Sequence, residues 1–253
     1  MSSNLQKALG RIFGLFPGSS FRLLLLRLIG VKAGAATHVR WGAWVGRDVR
    51  LGAGVLLDYG CRLDPGAIVA DGCRIGPESF IGAGVELGRD VVIGARALVA
   101  NAVVGEGSHI EFGVVFTGFQ DGTIRIGRHT YIGIYNVLDW SGGLTIGDHV
   151  HIAGPSVGVW THSSVNQALR GGVLRDHYMK TVGAVRIGDN CYIGGNSTIY
   201  PGVSIGSFAV VTPNSAVNRD VPSNSMVGGT PARAVRSIRT DGAEVHFDEL
   251  AQT

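Results

Sequence analysis

Six-residue units fill residues 45–103, which read VGRDVR-LGAGVL-LDYGCR-LDPGAI-VADGCR-IGPESF-IGAGVE-LGRDVV-IGARAL-VANAV. A branched aliphatic residue opens every unit: Val45, Leu51, Leu57, Leu63, Val69, Ile75, Ile81, Leu87, Ile93 and Val99. A period of six fits neither an α-helix, which repeats every 3.6 residues, nor an open strand, which alternates every second residue. It is typical of a parallel β-helix in which about three units form one rung. We therefore expect the aliphatic side chains to stack inside the coil.

Composition agrees with this fold and limits the function classes. The chain has 253 residues, 40 of them glycine, and 45% are hydrophobic. The glycines recur in register with the aliphatic residues, which favours tight corners over disorder. The net charge of +3 is small, and the basic residues are scattered. This pattern does not indicate a nucleic-acid-binding protein.

The three cysteines occupy one kind of position. Cys61, Cys73 and Cys191 each stand four places after an aliphatic residue, in the small-residue slot of the repeat. We expect them to be wall residues of the coil. No CxxC pair and no disulfide framework is present, which fits a reducing cytoplasm.

Residues 1–32 do not follow the repeat and are predicted to form an amphipathic helical segment. Two apolar stretches, 9–16 and 21–29, flank the sequence Pro17-Gly18-Ser19-Ser20. One of the two serines is expected to cap a helix that starts at Phe21. The helix can close the open end of the coil. Residues 9–29 can also contact a membrane peripherally, and the two roles do not exclude each other. The membrane interpretation places the leucines at 23–26 among lipid headgroups and four cations toward anionic lipid: Arg11, Arg22, Arg27 and Lys32.

Residues 33–236 are predicted to form the β-helix, and several interruptions break its repeat. The register slips after Val99, at an insertion over 118–122 and again at 141–143, and a loop over 160–184 leaves the repeat altogether. Long loops on a rigid scaffold often carry function. A short helix and a polar tail over 237–253 are expected at the carboxyl end.

The second half of the chain resembles the hexapeptide-repeat acyltransferases, in particular the galactoside and maltose O-acetyltransferases and the enzymes that acetylate bacterial surface polysaccharides. The resemblance rests on Ile126-Gly127-Arg128, Leu144-Thr145-Ile146-Gly147-Asp148, Thr161-His162, Ile187-Gly188-Asp189-Asn190, Tyr200-Pro201-Gly202-Val203 and Gly229-Thr230-Pro231-Ala232-Arg233. It implies an all-β fold, a left-handed parallel β-helix with short amino- and carboxyl-terminal helices. It also implies acetyl-CoA as acyl donor, no metal, and a homotrimer.

The same resemblance suggests the residues of an active site. His162 matches the histidine that acts as general base. Asn136 and Asp139 lie where relatives place polar residues that orient the acceptor hydroxyl or the base. His177, in the loop, is a candidate acceptor contact.

Five further residues are candidates for coenzyme binding. Tyr192 matches an aromatic residue beside the pantetheine arm, and Gly194 and Gly195 would let that arm lie against the backbone. Arg219 and Arg233 stand where relatives have basic residues near the nucleotide phosphates, which suits the bidentate guanidinium.

The function predicted from these residues is acetyl-CoA-dependent O-acetylation of a sugar hydroxyl in a bacterial surface polysaccharide or its precursor, in the cytoplasm or at the inner face of the cell membrane. An N-acetyltransferase acting on an amino-sugar nucleotide or another small amine stays open, as does a non-catalytic scaffold. A zinc-dependent hydratase of the γ-carbonic anhydrase type shares the solenoid, but the sequence lacks the pair of histidines separated by four residues that such an enzyme needs.

Overall fold

The structure is a computed structural model that describes residues 18–173, 180–241 and 244–249. The chain divides into two compact units, Met1–Val115 and Phe116–Thr253. Within the described ranges, no helix is long and apolar enough to cross a membrane.

The described part of the first unit begins with helix α1 (Ser19–Leu28) and continues in very short strands. The strands are β1 (Lys32–Ala33), β2 (His38–Val39), β3 (Trp44–Val45), β4 (Arg50–Leu51), β5 (Leu56–Leu57), β6 (Arg62–Leu63), β7 (Ile68–Val69), β8 (Arg74–Ile75), β9 (Phe80–Ile81), β10 (Glu86–Leu87), β11 (Val92–Ile93), β12 (Leu98–Val99), β13 (Ala102–Val104), β14 (His109–Ile110) and β15 (Val115–Thr117), which crosses the boundary between the units. Each strand pairs in parallel with the third strand after it. Three sheets result, in the orders β1-β4-β7-β10-β13, β2-β5-β8-β11-β14 and β3-β6-β9-β12-β15.

The strand register confirms that three hexads form one rung. Val45 pairs with Leu63, and Leu63 pairs with Ile81, so that partners are 18 residues apart. All ten aliphatic residues that open the units of 45–103 are buried. Arg62, the residue before Leu63, lies on the outer surface.

The cysteines are buried and free, as expected of wall residues. Burial raises the pKa of the Cys61 thiol to about 12 and that of Cys73 to about 11, because desolvation disfavours the thiolate. Burial likewise raises the pKa of Cys191.

The second unit repeats the three-sheet pattern with longer excursions. Its strands are β16 (Ile124–Ile126), β17 (Tyr131–Ile132), β18 (Val137–Asp139), β19 (Leu144–Ile146), β20 (His151–Ile152), β21 (Gly158–Val159), β22 (His162–Ser163), β23 (Thr181–Val182), β24 (Val185–Ile187), β25 (Tyr192–Ile193), β26 (Thr198–Ile199), β27 (Ser204–Ile205), β28 (Val210–Val211), β29 (Ala216–Val217), β30 (Ser225–Gly228), β31 (Arg233–Asp241) and β32 (Glu244–Glu249), and helix α2 (Val165–Leu169) follows β22. The sheet orders are β16-β19-β24-β27, β17-β20-β25-β28-β30-β31-β32 and β18-β21-β26-β29. The fold class is the left-handed parallel β-helix that the resemblance implies.

The carboxyl end differs from the prediction. Instead of a short helix and a polar tail, β30, β31 and β32 form an antiparallel extension of one sheet. Strand β31 contains three β-branched residues, Val235, Ile238 and Thr240, and Asp241-Gly242, which follows them, is a strong hairpin signal. The prediction of a helix was wrong because it relied on the end of the hexapeptide repeat and did not weigh the strand propensity and the turn signal of the residues that follow the repeat.

Helix α1 lies against β1 and β2, the first strands of the coil. Ser19 does not cap the helix. Its hydroxyl oxygen accepts a hydrogen bond from the backbone N–H of Val39, and no side chain caps the helix start. The side chains of Arg22 and Leu26, both residues of this helix, are buried, so the expectation that they face lipid headgroups is wrong. Arg11 and residues 9–17 of the predicted membrane segment lie outside the described residues.

Candidate active site

Three interruptions of the repeat converge on His162 in the second unit. The insertion over 118–122 supplies Phe119, the slip at 141–143 supplies Ser141, and the loop over 160–184 supplies His162 itself on β22. The side chain of His162 is 19% exposed, so most of it is packed against the protein while part of it is accessible to solvent.

The imidazole of His162 is held by a buried carboxylate. Nδ1 of His162 lies 2.6 Å from Oδ2 of Asp139, whose side chain is 0% exposed. Asp139 ends strand β18, and Thr161, beside His162, lies on the next rung. A histidine whose Nδ1 meets a carboxylate is fixed in both ring orientation and tautomer.

Four further donors surround the Asp139 carboxylate. Ser141 donates to Oδ1 through its backbone N–H at 3.0 Å and its hydroxyl at 2.6 Å. Thr161 donates to Oδ2 through its backbone N–H and its hydroxyl, both at 2.8 Å. Burial alone would raise the pKa of Asp139. The hydrogen bonds from Ser141, His162 and Thr161 outweigh that effect, so the pKa lies below its ordinary value. Asp139 is therefore ionised at neutral pH.

This ionisation assigns the proton on His162. A carboxylate has no proton to donate, so the 2.6 Å contact requires the proton to sit on Nδ1. In the neutral ring Nε2 then carries a lone pair. Among the described residues, Nε2 has no hydrogen-bond partner. The arrangement presents a proton acceptor that is backed by a negative charge.

Aromatic and cationic side chains border the imidazole. The Phe119 ring meets the His162 ring edge to face at 4.8 Å, and Trp160 lies at 6.4 Å in a similar orientation. Nζ of Lys180 stands 4.2 Å from the centroid of the Phe119 ring. The backbone N–H of Phe119 donates to Ser141 Oγ at 3.0 Å, which ties the insertion to the residue that binds Asp139.

Asn136 has a different place from the one expected. Its side chain is 0% exposed, and its amide bonds only the backbone: the carbonyls of Ile152 and Ala153 and the N–H of Val157. This burial leaves no surface of Asn136 for an acceptor. Of the two roles considered for Asp139, the geometry fits orientation of the base, since the carboxylate is fully buried behind His162. His177 lies outside the described residues.

The coenzyme candidates lie on other strands and corners of the same unit. Tyr192 is an exposed residue of β25 whose ring centroid lies 5.3 Å from that of His151, with the two ring planes tilted by 34°. A Cβ on Gly194 would lie 2.6 Å from Cδ of Pro213, and one on Gly195 would lie 2.8 Å from the Gly154 carbonyl oxygen. The packing of adjacent rungs therefore already requires glycine at both positions. Their contact with coenzyme stays a prediction.

Arg219 and Arg233 line one pocket, together with Asn218, Asp220, Pro222 and five valine and alanine residues. The structure thus brings together two arginines that stand 14 positions apart in the sequence. A pair of guanidinium groups in one concave site suits a phosphate group.

Metal ligands do not converge in the part of the chain that the structure describes: no group of three or more His, Cys, Asp and Glu side chains could hold an ion there.

Comparison with known proteins assigns the chain to a family. The model of the hexapeptide repeat of succinyl-transferase matches residues 66–99, 88–117 and 184–219. The galactoside O-acetyltransferase of Escherichia coli K12 is 31% identical over 150 residues, which cover 58% of this chain and 70% of that protein. The chain belongs to the hexapeptide-repeat acyltransferases. It is accordingly an acyltransferase.

Solved structures of other acyltransferases share the fold. The UDP-N-acetylglucosamine acyltransferase of Campylobacter jejuni aligns with a TM-score of 0.51 and 20% identity, over 82% of this chain and 71% of that one. The N-acyltransferase AntD of Bacillus cereus, solved with dTDP and coenzyme A, aligns with a TM-score of 0.50 and 21% identity, over 60% of this chain and 83% of that one. At these identities the likeness shows the fold alone.

Sequence reasoning missed two residues of this candidate site. Ser141 and Phe119 were not singled out, although both lie inside the register slips that drew attention to the region. Thr161 entered only as a landmark beside His162, and its bonds to Asp139 were not foreseen.

Proposed function

We propose that this protein transfers the acetyl group of acetyl-CoA to a hydroxyl of a sugar in a bacterial surface polysaccharide or its precursor. The observation that carries the proposal is the 2.6 Å contact between His162 Nδ1 and the buried Asp139 carboxylate, which leaves Nε2 as an accessible base. The 31% identical relative from Escherichia coli is named an O-acetyltransferase, which supports a hydroxyl acceptor.

His162 performs the proton transfers. Nε2 takes the proton from the acceptor hydroxyl as its oxygen forms a bond to the thioester carbon. The carbon–sulfur bond then breaks, and the protonated imidazole returns the proton to the sulfur. Asp139 stays ionised and stabilises the imidazolium between the two steps, because its five hydrogen-bond donors favour the charged form.

Acetyl-CoA supplies the activated acetyl group, and residues away from His162 would hold it. The pocket that contains Arg219 and Arg233 fits a phosphate group of the coenzyme. Tyr192 offers an exposed ring for the pantetheine arm, and the backbone at Gly194 and Gly195 carries no side chain that would block that arm. The three free, buried cysteines agree with a reducing cytoplasm, where acetyl-CoA is available.

A homotrimer completes the proposal, on the resemblance to the family. A chain of 26.5 kDa would then give a particle of about 80 kDa, three times the monomer mass. Light scattering coupled to size-exclusion chromatography distinguishes this mass from those of a monomer and a dimer.

The decisive experiment combines acceptor screening with one variant. The protein is incubated with labelled acetyl-CoA and a panel of glycan precursors, amino-sugar nucleotides and small amines, and acetylated products are identified by mass spectrometry. His162→Ala should lower kcat on the best acceptor by about 10²–10⁴-fold with little change in acetyl-CoA affinity. His246→Ala, on strand β32, is the matched control and should keep normal turnover.

Products acetylated only on nitrogen would replace the O-acetyltransferase proposal with the N-acetyltransferase alternative. Near-normal turnover in a folded His162→Ala protein would place the base elsewhere. Failure to acetylate any acceptor, with no hydrolysis of acetyl-CoA, would favour the scaffold interpretation.

A further inference from the structure

Helix α1 presents an apolar stripe to the outside. Phe21, Leu24 and Leu28 are spaced three and four residues apart, so they lie on one face of the helix. All three are exposed, Leu24 by 55% and Leu28 by 77%. Contiguous apolar surface of this kind is costly to expose to water and commonly marks a binding surface.

The opposite face of α1 is fastened to the first strands, so rotation of the helix cannot bury the stripe. Arg22 is buried and donates from Nε and Nη2 to the Val39 carbonyl, at 2.9 and 2.6 Å. Ser19 Oγ accepts the Val39 N–H at 2.9 Å, and Leu26 is buried next to these contacts. Turning the stripe inward would break these bonds and leave a buried guanidinium without them.

A basic groove lies beside the stripe. Its charged and titratable lining residues are Arg22, His38, Arg40 and Arg74, with no carboxylate among the lining residues. Arg40 forms an ion pair with Asp58 at 3.2 Å, and its guanidinium stands over the Tyr59 ring. His38 on β2 and Arg74 on β8 are exposed. Arg27, in the last turn of α1, adds a further exposed cation. Asp48 is the acidic residue near the end of the helix, next to Gly30.

Large aromatic residues continue the same region. Trp41 follows β2 directly after Arg40, and both Trp41 and Tyr59 are exposed. Tryptophan and tyrosine are enriched at the headgroup level of membranes because their rings are amphipathic. Exposed aromatics, an apolar helical stripe and a groove lined by arginines are a combination that suits an interface between hydrocarbon and anionic headgroups.

We propose that the apolar stripe (Phe21, Leu24, Leu28) and the exposed arginines of the basic groove (Arg40, Arg74) together bind the surface of a bilayer that contains anionic lipid. The stripe inserts at the level of the headgroups, and Arg27, Arg40 and Arg74 bind lipid phosphates, whereas Arg22 stays buried on the Val39 carbonyl. This places an acyltransferase at a membrane surface through helix α1 and the groove beside it. The proposal does not depend on the acceptor or on His162.

The test uses the purified full chain and two kinds of vesicle, phosphatidylcholine alone and phosphatidylcholine with about one third phosphatidylglycerol. Flotation at low salt should bring the protein up with the anionic vesicles and much less with the neutral ones, and added salt should reduce the bound fraction because exposed charges are screened. The double variant Leu24→Ser, Leu28→Ser should lose most binding. Arg74→Gln should weaken binding by about fivefold, the contribution of one cation near an anionic surface.

Matched controls distinguish binding through this surface from nonspecific binding of the protein to vesicles. Leu169→Ser removes a leucine of α2 that is 81% exposed, and Arg125→Gln removes an exposed arginine of β16. Both should float like the parent protein. Circular dichroism and thermal unfolding check that every variant folds, and acetyl transfer should be unchanged in the α1 variants, so that failure here is distinguishable from failure of the proposed activity.

Three results would overturn the inference. The parent protein could stay in solution with anionic vesicles at low salt. It could bind neutral and anionic vesicles equally, which would remove the role of the groove. The leucine variant could instead abolish concentration-dependent self-association while vesicle binding persists, which would make the stripe a contact between copies of the chain.

Discussion

Replacing Asp139 by asparagine removes one negative charge and almost no volume, so it isolates what the carboxylate does for His162. Both carboxylate oxygens accept from a backbone N–H, Oδ1 from Ser141 and Oδ2 from Thr161. An amide has only one oxygen, so one of these buried N–H groups must face an NH₂ group and lose its acceptor. The stability cost of that loss is about 1–3 kcal/mol.

The catalytic cost is larger. If the amide NH₂ faces His162, it donates to Nδ1 and forces the proton onto Nε2, which can then no longer accept. If the amide oxygen faces His162, the tautomer survives but the imidazolium loses its counter-charge. Both outcomes weaken the base, and we expect kcat to fall by about 10²–10⁴-fold, or about 3–5 kcal/mol in activation free energy.

The assay follows release of the coenzyme A thiol with a thiol reagent. The protein's own three cysteines are buried with raised pKa values, so they contribute little signal. Affinity for acetyl-CoA should be unchanged. The control is Asp48→Asn, a change at an exposed carboxylate of the first unit, which should keep normal turnover.

A double variant tests whether Asp139 acts through His162. Groups that act as one unit have effects on rate that do not add. His162→Ala combined with Asp139→Asn should therefore be no slower than His162→Ala alone. A folded Asp139→Asn protein within about threefold of normal turnover, or fully additive losses in the double variant, would refute the dyad.

Three further predictions concern stability and the donor. The pKa of Asp139 is lower in the folded than in the unfolded protein, so the ionised carboxylate stabilises the fold at neutral pH. This stabilisation is lost as the pH falls through the pKa of the folded state. Urea titrations from pH 7 to about pH 3 should therefore show a narrowing difference in the free energy of unfolding between the parent protein and Asp139→Asn. Leu63→Ala should lower the free energy of unfolding by about 2–5 kcal/mol, because the substitution opens a cavity in the coil. Arg50→Ala, on the outer surface, should change the free energy of unfolding by less than about 0.5 kcal/mol. Equal effects of the two substitutions would contradict the assigned register. Acetyl-dephospho-CoA should be a poorer donor than acetyl-CoA by about tenfold, and Arg219→Ala or Arg233→Ala should narrow that gap; equal use of both donors by the parent protein would remove the phosphate role of these arginines.

The solenoid was predictable because a period of six specifies both the inward residue and the rung. Each aliphatic side chain stacks on a partner 18 residues away, and any slip would turn it toward water. The antiparallel strands β31 and β32 obey a different rule, alternation with a hairpin turn. They were missed because the prediction stopped at the end of the repeat, although Asp241-Gly242 was available as a signal.

The site was predictable in position but not in its contacts. The breaks in the repeat indicated where to look, and His162 stands at the mouth of the longest one. Its partners could not be read from the sequence, because partner spacing changes at each break: Leu138 pairs with Val159, 21 residues on, instead of 18. The shift brings Asp139 next to Thr161 and His162, while Asn136, three residues earlier, remains inside the wall.

A perfectly regular coil would have difficulty building this site at all. Uninterrupted hexads stack like on like, so an inward carboxylate would meet the aliphatic core and an outward one would meet water. The slip at 141–143 bends the chain so that Ser141 reaches back to Asp139, and the insertion over 118–122 brings Phe119 against the far side of the imidazole. Each break thus supplies one wall around His162, and the intact rungs between the breaks hold those walls at hydrogen-bonding distances. Restoring the regular repeat at 141–143, by deletion of residues there, should abolish turnover while the rungs on either side still fold.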